Sequence, residues 1–60
     1  MSKRDNEELA VQIGGAIYEA QAQIAQDDER SGTLTLHADR YRRLGAAALE
    51  AIMVYEQSLR

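Results

Sequence analysis

One histidine, three serines and a run of three acids are the first side chains to weigh for chemistry in this chain. His37 is the only histidine and there is no cysteine, so no thiol nucleophile exists. Ser2, Ser31 and Ser58 lie at the termini or in a turn, with none of the adjacent bases that activate a hydroxyl. Asp27-Asp28-Glu29 are consecutive, so on a helix they point in different directions and lack the spaced ligands of a calcium loop. Gly14-Gly15 is not followed by the Lys-Ser/Thr of a phosphate loop. With so small a chain there is also no room for a concave substrate pocket. The expectation is a protein that is not an enzyme, with no cofactor and no metal.

The same residues read more naturally as contact groups. Asp27, Asp28 and Glu29 oppose the dipole at a helix C-terminus, and Arg40, Arg42 and Arg43 follow across a short turn to offset them. Two roles stay open for this charged tip: a network closing the fold, or a surface offered to a partner. Tyr18 and Glu19 are further candidates for partner binding. His37 falls one turn before Tyr41 and is expected to pack or cap near the turn.

These groups need helices to place them. Ala, Leu, Glu, Gln and Arg dominate, and no proline interrupts them. The first helix is expected over about 5–30, capped by Asp5 with Glu8 three residues on, or from Ser2. Its apolar positions Ala10, Ile13, Ile17, Ala20 and Ile24 recur at three and four, the seam of a packed helix. Val11 and Tyr18 widen that seam on one side, Leu9 and Ala16 on the other. Residues 31–34 form the turn, with Gly32 ending the helix in a left-handed conformation. The second helix is expected over about 35–59, capped by Thr33 or Thr35. Its stripe is Tyr41, Leu44, Ala48, Ile52, Tyr55 and Leu59, flanked by Leu49 and Met53. Leu34 and Leu36 alternate with threonines like a short strand, but too few residues follow for a ribbon-helix-helix fold. Gly14-Gly15 and Gly45 mark a tight helix crossing, a weak spot, a kink or a backbone surface for a partner.

The fold class that follows is all-α: one domain over 1–60, an antiparallel two-helix hairpin. The apolar band is wider than one facing helix can cover. A homodimer forming a four-helix bundle is therefore expected, with Ile13, Ile17, Ile24, Tyr41, Leu44, Leu49, Ile52 and Tyr55 in the core or the dimer contact. No apolar run reaches the roughly 20 residues that span a bilayer, and the charged start leads into no signal core, so the expected location is cytoplasmic without membrane contact.

Net charge is −3 and unevenly placed. Residues 1–32 carry seven acids against Lys3, Arg4 and Arg30, whereas residues 33–60 carry three acids against four arginines. A nucleic-acid binder usually shows a basic face in a basic domain, so nucleic acid is the minority expectation. In length and layout the chain resembles the Rop-like hairpin dimers, which implies RNA binding through Arg40, Arg42 and Arg43 with Lys3 and Arg4. Tyr41 followed by Ala48-Leu49-Glu50 and an apolar tail is similar to the small hairpin co-chaperones of type III secretion. The leading expectation is a protein-binding regulator, such as an inhibitor, antiactivator or adaptor, of the compact acidic type that phages and mobile elements encode.

Overall fold

A computed structural model describes residues 3–59, the side chain of Lys3 excepted. Two α-helices, α1 (Lys3–Ser31) and α2 (His37–Ser58), pack against each other as an all-helical hairpin. The body measures 44 × 16 × 14 Å. Its long dimension is set by α1, whose 29 residues span about 43 Å at 1.5 Å each.

The ends of the helices differ from the expected ones for identifiable reasons. Helix α1 is already formed at Lys3, so Asp5 lies inside its first turn, where its charge complements the dipole. Ser2, the alternative cap, lies outside the described residues. The C-terminal stop is at Gly32, whose φ of 71° is the left-handed conformation and whose N–H donates to the Asp28 carbonyl at 2.9 Å. Neither Thr33 nor Thr35 caps α2. The Thr33 N–H donates to Ser31 Oγ, and Thr35 is held by the Asp28 carboxylate. Extended Leu36 is the N-cap residue, with no side-chain hydrogen bond, and α2 starts at His37, two residues later than the expected start at about 35. Residues 33–36 form the link between the helices, with no strand.

The buried interior is small. Ile24 is fully buried and Tyr55 is 3% exposed; no other described apolar residue reaches that state. Leu9, Ile13, Ile17, Leu44 and Ile52 are half-buried, with the alanines 16, 20, 47, 48 and 51 between them. On α1 the seam begins at Leu9, and Ala10 is exposed. On α2 the inward positions run Arg40, Arg43, Leu44, Ala47, Ala48, Ala51, Ile52, Tyr55. Tyr41 and Leu49, expected in the core or dimer contact, are 72% and 64% exposed on the hairpin, and Leu59 is exposed as well. Ion pairs of Arg40 and Arg43 with α1 set this rotation. Tyr41 stays at the solvent-facing edge of that stripe. Its ring lies 6.4 Å from that of His37, stacked at 24°.

The helical glycines are not packing devices within the hairpin. A Cβ added at Gly14, Gly15 or Gly45 would meet nothing within 4 Å, which removes the tight crossing as their explanation. Glycine in a helix costs about 1 kcal/mol relative to alanine. Gly14→Ala and Gly15→Ala should each stabilise the isolated chain by about that amount in urea melts. A destabilisation would show that backbone there is packed after all.

Candidate interaction surfaces

The closed end of the hairpin is a hydrogen-bonded network built around two adjacent aspartates at the C-terminus of α1. Asp28 accepts the Thr35 N–H at 2.9 Å and the Thr35 hydroxyl on Oδ1, and Arg40 Nη2 at 2.9 Å on Oδ2. Arg40 Nε also donates to the Thr35 carbonyl at 3.3 Å, so link, helix and carboxylate form one unit. Asp27 takes Gln23 Nε2 at 3.1 Å and Arg30 Nη2 at 2.9 Å on Oδ1, and Arg43 Nη2 at 2.9 Å on Oδ2. Two cross-helix ion pairs thus offset acids placed at the unfavourable end of a helix dipole. Of the two roles left open for the tip, the network closing the fold is the one these bonds display. Arg42 pairs within its own helix with Asp39 at 3.1 Å, and Glu29 is exposed.

Two groups have ionisation shifted by these surroundings. The hydrogen bonds from Gln23 and then Arg43 hold the Asp27 carboxyl below its ordinary pKa of 3.8. Burial, followed by the nearby charges of Asp5 and Glu8, pushes the Tyr55 phenol above its ordinary 10. Its hydroxyl donates to the Asp5 carbonyl at 3.1 Å and latches the open end. The stabilisation from Asp27 is complete above its ordinary pKa and is lost as pH falls through and below that value. The stabilisation from neutral Tyr55 is complete below pH 10 and fades as pH rises beyond it. Melting temperature should therefore fall at both extremes. A melting temperature that held or rose on acidification through pH 3 would contradict the Asp27 assignment.

Away from the ends, the surface divides by side. Between the helices on one side runs a groove of about 580 Å³, floored by Ala16, Ala20, Ala47 and Ala51 and walled by Glu19 and Glu50. The alanine pairs are four residues apart on each helix, a signal legible in the sequence but hidden among its many alanines. On the outer face of α1, Val11 and Tyr18 are 75% and 74% exposed, two turns apart, with Gly14 and Gly15 open between them. A shallow hollow bounded by Arg4, Glu7, Glu8, Val11 and Gln12 adjoins them. Leu34 and Leu36 are exposed at the link.

Of the sequence-derived contact candidates, Asp27, Asp28, Arg40 and Arg43 are brought together and bound to one another. Tyr18, Glu19, Glu29 and Arg42 lie apart from that network. Among the described residues no group of three or more His, Cys, Asp or Glu could hold a metal ion, and no helix is long and apolar enough to cross a membrane. No family model, curated protein or solved structure matches the chain.

Proposed function

We propose that this chain is a small protein-binding regulator, an inhibitor, antiactivator or adaptor that works without chemistry by gripping a protein with its helical surfaces. One observation carries the reading. Among the described residues, two large apolar side chains are buried and nine are more than half exposed. A contiguous exposed apolar patch on a soluble protein marks an interaction site, whereas single scattered residues do not. Val11 and Tyr18 lie on one line of α1, two turns apart, with the open backbone of Gly14 and Gly15 between them, where another helix can come close.

The charged residues favour protein over nucleic acid. Arg40, Arg42 and Arg43, which a phosphate backbone would need, are engaged by Asp28, Asp39 and Asp27. Acids and glutamines, among them Gln12 and Glu19, cover much of the remaining surface of α1.

The test is capture by the immobilised chain from its native host, with captured proteins identified by mass and compared with a Val11→Glu/Tyr18→Glu variant. Both positions are exposed, so helicity should be unchanged while the specific partner is lost. Recovery of nucleic acid with affinity falling steeply as salt rises would replace this reading with the Rop-like one. Equal capture by wild type and variant would remove the outer face of α1 as the grip.

A further inference from the structure

We propose that a second copy of this chain seats on the side of the hairpin opposite the alanine groove, centred on Ile17, Gly45 and Ile52. The helical period places Ile13 and Ile17 of α1 and Tyr41, Gly45 and Ile52 of α2 on that side, away from the groove wall formed by Glu19 and Glu50. Ile13, Ile17 and Ile52 are only half-buried by the hairpin, and Tyr41 is largely exposed.

Charge separates this side from the other. In a two-fold contact the same patch meets itself, so any charge near the axis faces its own copy. The groove side would bring four carboxylates together, Glu19 and Glu50 from each chain. The opposite side carries no charged residue between positions 10 and 25 of α1 or between 41 and 52 of α2. Self-association is therefore tolerated on one side and opposed on the other.

Shape agrees with this occupant. The uncharged stretch of α1 on that side, residues 10–25, is about 24 Å long at 1.5 Å per residue and occupies the middle of a body 44 Å long. Gly45 weakens α2 and a Cβ there would touch nothing in the hairpin, so its smallness serves no contact within the chain. Flanked by exposed Tyr41 and Leu49, it makes a hole that a large side chain from the second copy can fill. The product is a four-helix bundle in which Ile13, Ile17 and Ile52 become core, while both alanine grooves and both Val11–Tyr18 faces stay outside.

The inference is independent of the proposed protein partner, because its test uses the purified chain alone. Sedimentation equilibrium over about 1–100 μM should give the mass of two copies for the wild type and for Val54→Glu, which places a charge at the groove. Gly45→Glu should weaken dimerisation by at least about 100-fold, since the two-fold axis opposes two buried carboxylates. Glutamate is a better helix former than glycine and its Cβ would meet nothing within 4 Å at this exposed position, so retained helicity by circular dichroism together with dissociation of this variant reports the contact rather than misfolding. A wild type with the mass of one chain throughout overturns the proposal. So does dissociation by Val54→Glu with Gly45→Glu intact, which would move the interface to the groove.

Discussion

Ile24→Ala should lower the thermal midpoint by about 10–30 °C and leave much of the chain unfolded at room temperature. Ile24 is the one apolar side chain of the described residues with no exposed surface. Truncating a buried isoleucine to alanine costs about 2–5 kcal/mol, through lost transfer energy and the cavity left behind. A small domain has about 5–15 kcal/mol in all, and a chain of this length stands at the low end. No second layer of core is present to absorb the loss, because Leu9, Ile13, Ile17, Leu44 and Ile52 are each only half-covered. The same truncation at exposed Val11 should change stability by about 0.5 kcal/mol or less. Circular dichroism at 222 nm during heating reads both variants. Similar melting of the two would mean that burial at Ile24 does not anchor the fold.

Asp28→Ala should cost about 2–3 kcal/mol, more than any other single charge removal in the chain. Its carboxylate accepts two bonds from Thr35 and one from Arg40, and its side chain is only 10% exposed. Removal leaves the Thr35 N–H, the Thr35 hydroxyl and Arg40 Nη2 without their acceptor at the point where the chain reverses. Asp28→Asn keeps an acceptor for Thr35 and should lose less. Removing the exposed Arg30–Asp27 pair through Arg30→Ala should change stability by 1 kcal/mol at most, as surface pairs do. Urea melts give the free energies, and amide exchange at Thr35 gives the local effect. Unchanged exchange at Thr35 in Asp28→Ala would show that the link is ordered by something else.

The helices were legible in the sequence because nothing competes with them: strong helix formers, no proline, and isoleucines at 13, 17 and 24 in helical register. The reversal was legible from Gly32, the residue that takes the positive φ. A short connection makes the helices antiparallel and brings the acidic and arginine clusters to one end, but the sequence leaves open whether they meet each other or a partner; the structure joins Asp28 to Arg40 and Asp27 to Arg43. The rotation of α2 did not follow. Tyr41 is larger and more apolar than Arg40, and pattern reading places it inward; two ion pairs turn the arginines in and Tyr41 out. The start of α2 departs from the sequence pattern for a related reason. Thr35 has the side chain of a capping residue, but a carboxylate seven residues earlier takes both its N–H and its hydroxyl. Helical propensity and spacing are local, whereas both of these choices are made by a residue on the other helix. The alanine groove has no local signature, because it depends on which alanines of two helices face one another.

The hairpin alone leaves most of its large apolar side chains exposed, and we propose that it completes its burial against another macromolecule. Thermal melts of the purified chain over a hundredfold range of concentration test this most directly. The prediction is a broad, low melt at the dilute end that sharpens and rises with concentration, as mass action requires when a second copy covers the apolar side. A sharp melt at high temperature that is independent of concentration, from a chain of monomeric mass, would contradict it.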